Sequence, residues 1–471
     1  MFKRSFFFFA AVAAFAVVHA DTPQYTVVIL HPAALAESRG IGIGGGQQVG
    51  VAKWNGLLDP HEYATLWTGT AASAINLNPV GAEASVVTGT DGTYQVGATE
   101  AVINGGIVDT AAIWHGTAAS YINMAPANSS SSALIRIDNG HEVGWAVING
   151  AQFAGYWTGT NPNSFTALPA PVNQGVASGM SGNVIVGALQ GNFEHAYVWN
   201  ISTHVNQDLN PLGVDFSSLN NTDGIQHVGI TQSGPDFKPH AGVWNAATGN
   251  FTDLHPSGTW VESYAEGVHG GIQVGYVHGV DQVVGGFDRA ALWQGSAASY
   301  VDLQQFLPST YIDSYAASID AQGNIVGWGQ DHEPNDFKNK ALMWIPLTQN
   351  PPPYTFVGFK SSLNDPATPE SKFKGNRTIP IRFTLLSHGL PVISAHCTIS
   401  LYKLNGNSST PVNPSLFEQP SDDGVQFQIN GMTGQYSYNL DTRRLSPGRY
   451  RVTATVAETN QTHSVTFTVT K

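Results

Sequence analysis

Val186-Gly187-Ala188-Leu189-Gln190-Gly191-Asn192-Phe193-Glu194-His195-Ala196-Tyr197-Val198-Trp199 is the stretch that decides the fold. It carries a Val-Gly pair, a polar gap, and an Ala three residues before a Trp. The pattern recurs. Ala/Trp pairs stand also at Ala64/Trp67, Ala111/Trp114, Ala154/Trp157, Ala241/Trp244, Ala290/Trp293 and Ala341/Trp344. Val-Gly pairs precede them at Val49-Gly50, Val96-Gly97, Val143-Gly144, Val228-Gly229, Val274-Gly275 and Val326-Gly327. Successive repeat Trp residues are 47, 43, 42, 45, 49 and 51 positions apart. A period of roughly 40–50 residues built from short strands marks a β-propeller, one blade per repeat. The expected class is therefore all-β, with a seven-bladed β-propeller. An open solenoid is the competing architecture, but these repeats are long for a single coil.

Each repeat reads as four strands, A to D. Strand A is rich in small residues, as in Gln174-Gly175-Val176-Ala177-Ser178-Gly179, because inner strands crowd the axis. A Gly turn follows, such as Asp138-Asn139-Gly140, supplying the positive φ of a tight hairpin. Strand B holds the Val-Gly pair, whose Gly permits close backbone approach or a bulge. Strand C places its Trp between blades. Strand D ends in Pro, as in Ile75-Asn76-Leu77-Asn78-Pro79. The seventh repeat stops after Trp344 and lacks strand D. Tyr25-Thr26-Val27-Val28-Ile29-Leu30-His31-Pro32 has the missing pattern. A strand over 25–31 is expected to complete blade seven, closing the ring and removing open sheet edges.

The chain has 471 residues. Residues 1–20 read as a signal peptide: basic Lys3 and Arg4, an apolar run from Phe6 to Val18, and the small-x-small site Val18-His19-Ala20. The propeller is expected over 21–348 and a linker over 349–356, around Pro351-Pro352-Pro353. Over 357–471 the repeat signals stop and period-two strands such as Thr378–Leu385 and Tyr450–Val456 read as an immunoglobulin-like β-sandwich. Cys397 is the sole cysteine, so no internal disulfide is expected and the thiol reads as a small core residue. Residues 21–350 hold 26 acidic and 7 basic side chains, whereas 351–471 hold 7 acidic and 11 basic. The acidic repeats argue against nucleic acid or anionic lipid as partners. No stretch after the signal peptide is apolar enough for a transmembrane segment. The expected location is secreted or cell-surface associated.

The repeats resemble the HAF-type extracellular repeats of secreted bacterial proteins, named for a His-Ala-aromatic triplet before a Trp. His195-Ala196-Tyr197 matches well and His240-Ala241-Gly242 in part, whereas Tyr63, Thr110, Phe153, Arg289 and Lys340 replace the His elsewhere. The tail resembles the PxKF-type bacterial domain through Lys372-Phe373, Ile379-Pro380-Ile381-Arg382-Phe383 and the Leu445–Tyr450 turn, with Pro369 one position early for a strict match. Both resemblances imply exported proteins without an assigned activity, so no catalytic residue carries over.

No Gly-x-Ser-x-Gly, His-Glu-x-x-His, Walker loop or Cys-x-x-Cys occurs. Loops on a rigid scaffold remain the place to look. The B–C loops and D–A connections share one face of a propeller. Trp54, Asp59, His61 and Glu62 fall in the blade-one B–C loop. Trp260 enters blade six, and Asp288 belongs to that blade's loop. Asp331, His332, Glu333 and Asp336 fall in the loop of blade seven. Ring closure makes blades six, seven and one consecutive. This arc is the candidate ligand site, with indoles stacking on a sugar and carboxylates bonding hydroxyls or a bridging Ca²⁺. The expected function is non-enzymatic binding of an extracellular glycan or protein. The alternative is a polysaccharide-active hydrolase or lyase using Asp288, Glu333 and Glu62.

Overall fold

The computed structural model describes residues 23–347 and 354–471, apart from 55, 57–58, 104, 171–173, 192–193, 282–284, 334–335, 364, 366–368, 388–389, 393–394, 396, 407, 414–415, 418–423, 431–433, 457–458 and 460. The expected signal peptide and the Pro351–Pro353 run lie outside the described residues. What is described is all-β and propeller-like, with no α-helix.

Among the described residues, seven antiparallel sheets have four strands each. Sheet one is Ser38–Gly44, Gln47–Ala52, Tyr63–Trp67 and Ile75–Asn76. Sheets two to six repeat that order, beginning at Ala84, Ser129, Gly175, Phe216 and Trp260. Sheet seven takes Tyr311–Ile319, Ile325–Glu333 and Asp336–Pro346, and its fourth strand is Tyr25–Ile29. That strand runs antiparallel to Asp336–Pro346 with Val27 opposite Trp344. Strand A of every sheet packs on the preceding sheet, and Ser38–Gly44 packs on sheet seven, so the contacts form a closed cycle.

The two sequence signals have separate physical causes. A Cβ on any Val-Gly glycine would collide with a carbonyl oxygen of its own strand A: Arg39 over Gly50, Ser218 over Gly229, Tyr315 over Gly327. Only glycine lets strands A and B approach this closely. The seven repeat Trp residues are buried to 1% exposure or less. Each indole brings about 150–250 Å² of burial, a gross gain of about 4–6 kcal/mol at about 25 cal/mol per Å². The indole N–H of Trp157, Trp199, Trp244 and Trp344 donates to a carbonyl of the preceding repeat, namely Met124, Pro169, Leu209 and Leu303.

A third repeat feature joins the sheets. The backbone N–H of Ala64, Ala111, Ala196, Ala241, Ala290 and Ala341 donates to the Oγ of Ser85, Ser132, Ser217, Ser263, Ser314 and Ser38. Each serine is buried in strand A of the next sheet. Strand A also carries a bulge at one level in all seven sheets. The unpaired residues are Ile41, Thr88, Ile135, Ser178, Asn220, Glu266 and Ala317. Bulges bend the inner strands and re-aim these side chains.

The C-terminal region forms two further sheets around one core. Thr378–Ser387 and Gln435–Asp441 centre the first; Cys397–Asn405, Gly448–Val456 and Thr462–Thr470 form the second with Ser371–Lys374 parallel to Thr462–Thr470. Phe383, Phe417, Tyr436, Tyr450 and Phe467 fill the core, and Cys397 is buried in it. The Tyr450 hydroxyl donates to the Ser446 carbonyl at 2.7 Å, fixing the Leu445–Tyr450 turn.

Candidate functional site

Antiparallel order puts A–B and C–D turns on one face of the ring and B–C and D–A connections on the other. On the latter face a groove of about 620 Å³ opens between sheets seven, one and two. Arg39, Lys53, His61, Glu62, Glu100 and Trp328 line it. Arg39 pairs with Glu62 and lies 6.0 Å from the centroid of the Trp328 ring. Val102 and Ile107, both more than half exposed, form its apolar rim.

Trp328 is the end of an aromatic row. It stacks on Tyr315 at 4.8 Å and 16°. Tyr315 meets the edge of Tyr276 at 5.1 Å, and Tyr276 stacks on Tyr264 at 4.5 Å and 13°. The row follows from register, since Tyr264 faces Tyr276 across strands A and B of sheet six and Tyr315 faces Trp328 in sheet seven. The same positions in sheets two and four hold Val86 with Ala98 and Val176 with Ala188. Carboxylates anchor the phenols: Tyr264 donates to Glu262 at 2.9 Å and Tyr315 to Asp288 at 2.6 Å.

The acids are not equivalent. Burial, then the nearby Asp109 and Glu62 carboxylates, pushes Glu100 above its ordinary value. Burial raises Asp109 likewise. A hydrogen bond from Lys238 holds Glu262 below the usual range despite some burial. At Asp331 burial opposes ionisation, but hydrogen bonds from Lys340 and Thr310 outweigh it and lower the pKa.

The residues singled out from sequence divide. His61 and Glu62 line the groove. Asp59 sits behind them, bonding His61 Nδ1 at 2.9 Å and the Tyr63 hydroxyl at 2.9 Å. Asp288 joins His278 at 2.9 Å to the Tyr315 phenol. The two indoles expected to face ligand are half-buried and have partners. Trp54 donates to Thr65 Oγ1 at 3.0 Å, and Trp260 packs edge-on against Phe287 and Tyr300. Asp331 is buried against Lys340 at 2.7 Å, and His332 stacks on Phe337 at 4.3 Å. Glu333 and Asp336 pair in register at the end of a hairpin, and their side chains lie outside the described residues. Of the expected blade-seven loop, Asp331–Glu333 and Asp336 belong to paired strands. Sequence reading missed Arg39, Glu100 and the aromatic row. One signal was available: an aromatic directly after Val-Gly at Tyr276 and Trp328, in adjacent repeats.

Among the described residues no group of three or more His, Cys, Asp or Glu is arranged to hold a metal ion. No helix among them is long and apolar enough to cross a membrane.

No family model matches the chain, and no curated protein matches its sequence. Several solved structures are distantly similar. An oligogalacturonate lyase in complex with manganese is 10% identical with a TM-score of 0.45, covering 69% of this chain and 94% of that one. The oligogalacturonate lyase from Vibrio parahaemolyticus is 10% identical at 0.45, covering 70% and 95%. TolB from Acinetobacter baumannii is 13% identical at 0.34, covering 46% of this chain and 53% of its own. Likeness at this level carries no argument about chemistry.

Proposed function

We propose that this chain is an exported, non-enzymatic carbohydrate-binding protein, a seven-bladed propeller of HAF-type repeats followed by an immunoglobulin-like sandwich of PxKF type. The Tyr450 corner, with its hydroxyl on the Ser446 carbonyl, supports the second assignment. The groove between sheets seven, one and two is the binding site. One observation carries this reading: an indole, Trp328, stands in a groove with Arg39, His61, Glu62 and Glu100 around it. A sugar offers an apolar C–H face for the ring and hydroxyls for planar charged groups, and sites of this kind combine both. The ligand is recognised without help from Trp54 and Trp260.

Glycan-array screening followed by calorimetry on the best glycan tests the reading. Trp328→Ala should abolish binding, and Trp54→Ala with Trp260→Ala should leave it within twofold. Equal binding by wild type and Trp328→Ala removes the groove from the account.

A second reading, polysaccharide cleavage, draws on Glu100. Its raised pKa beside the Glu62 carboxylate is the arrangement of a general acid next to a second carboxyl group. Release of new reducing ends or of unsaturated products from a polysaccharide panel, lost in Glu100→Gln, would favour this reading over simple binding.

A further inference from the structure

On the opposite face the A–B turns of all the sheets surround the axis and enclose a cavity of about 740 Å³. The residues one position beyond the strand A bulges are Gly42, Gly89, Gly179, Asn221, Gly267 and Ser318 in six sheets, and Arg136 in sheet three. Of these, Gly42, Gly89, Arg136, Asn221 and Ser318 line the cavity. One large cation therefore stands at a level where its counterparts are small. Among the described lining residues Arg136 is the only Lys or Arg.

Its guanidinium is held by one end. Nη1 donates to the Thr88 carbonyl at 2.7 Å and the Ile135 carbonyl at 3.1 Å. Nε is buried and has no acceptor. The side chain is partly buried, and burial works against its charge; Glu266 favours the charge from a distance without a direct ion pair among the described residues. Glu266 itself accepts from Asn220 at 3.2 Å and is pushed upward by burial. A guanidinium fixed at Nη1 leaves its Nη2 donors for a carboxylate.

The rim has the opposite sign. Two positions beyond Arg136 along the strand, about 7 Å at roughly 3.3 Å per residue, comes Asp138. Asp91, Asp223 and Asp320 hold the same place in sheets two, five and seven. Turn amides fix their orientation, as when Asp91 accepts from Thr93 and Tyr94. Tyr354 and Val392 of the C-terminal region also border the cavity.

We infer that this axial well binds a small zwitterion, with its carboxylate on Arg136 and its cationic end among the rim aspartates. The site is separate from the groove and stands or falls without it. The test is calorimetric titration of the full chain with 6-aminohexanoate, hexanoate and hexylamine. Wild type should bind 6-aminohexanoate at least tenfold more tightly than either one-charge analogue. Arg136→Gly restores the residue found at this level in other sheets and should fold, as judged by circular dichroism, with binding lost. Asp91→Asn with Asp320→Asn keeps the turn acceptors and should reduce 6-aminohexanoate to the affinity of hexanoate. Absence of binding by wild type, undiminished binding by Arg136→Gly, or hexanoate binding as tightly as 6-aminohexanoate would each overturn the inference.

Discussion

The backbone N–H of Ala341 donates to the side-chain oxygen of Ser38, 3.0 Å away and 303 residues earlier in the chain. The same bond joins Ala64 to Ser85 and Ala241 to Ser263 inside the ring. Where sheet seven meets sheet one, the chain therefore uses the inter-sheet contact it uses elsewhere. A second contact reinforces it, because Leu30, one residue past the strand opposite Trp344, donates to the Ala341 carbonyl at 2.8 Å. Closure is thus made by ordinary repeat chemistry supplied from both ends of the repeat region.

Ser38→Ala should cost about 1–3 kcal/mol, because it strands the buried Ala341 N–H. The urea midpoint should fall with an unchanged slope. A change below about 0.5 kcal/mol would mean that the N–H finds another acceptor and that the serine is dispensable.

Acid should loosen the same junction through His31. Its Nδ1 lies 2.8 Å from Ser38 Oγ. The hydroxyl already accepts from Ala341, so its proton goes to a neutral ring. Burial first, then the Lys340 and Lys338 charges, lowers the His31 pKa to about 4. In the unfolded chain the ring takes a proton near its ordinary value of about 6.5. The contribution is complete above that value, erodes as pH falls toward 4, and is lost below it. Asn78 and Asn210 do the corresponding work at Ser85 and Ser217. His31→Asn should therefore keep the bond and hold more of its stability at about pH 4.5 than wild type does, measured by urea midpoints at both that pH and about pH 7.

The strand pattern was legible because each signal answers a local demand. Gly229 sits under a carbonyl and Trp244 fills an inter-sheet space, so both appear as fixed residue types. The latch serines were not legible. Serine is common in this chain, and the partner of Ser85 is the N–H of Ala64 in the preceding repeat, which no residue type reports. In the structure His61 and Glu62 of repeat one share a groove with Trp328 of repeat seven. Repeat order says nothing of where an aromatic ring points. Strand pairing brings Phe287 beside Trp260, and the turn before the last strand of the sheet supplies Tyr300. The aromatic row needed register, since Tyr315 and Trp328 are 13 positions apart and meet only across a hairpin.

Gly229→Ala should destabilise strongly and Gly106→Ala should not. The first Cβ would collide with the Ser218 carbonyl, whereas the second meets only the Ile103 carbonyl at 3.8 Å. Forcing strands A and B apart costs about 1–3 kcal/mol by the usual measure of overpacking. Thermal melts of both variants check this, and equal melting temperatures would sever the Val-Gly pattern from strand packing.

Glu142→Gln should stabilise the protein in alkali. Glu142 occupies the place before Val-Gly that Gln48, Gln95 and Gln273 hold elsewhere, where each glutamine oxygen accepts from a turn glycine: Gly69, Gly116 and Gly295. The Glu142 residue is 1% exposed, and its Oε2 has no partner. Burial raises its pKa to about 8, against a smaller opposing effect of a backbone hydrogen bond. The folded protein keeps this proton while the unfolded chain has released it from about pH 4.5 upward. Stability from this group is therefore complete below that pH and is lost as pH rises through 8. A glutamine cannot ionise and offers an amide of the same shape. The urea midpoint of Glu142→Gln should match wild type near pH 4.5, exceed it increasingly up to about pH 8, and keep a constant lead above that. Parallel pH profiles for the two proteins would place the buried proton elsewhere.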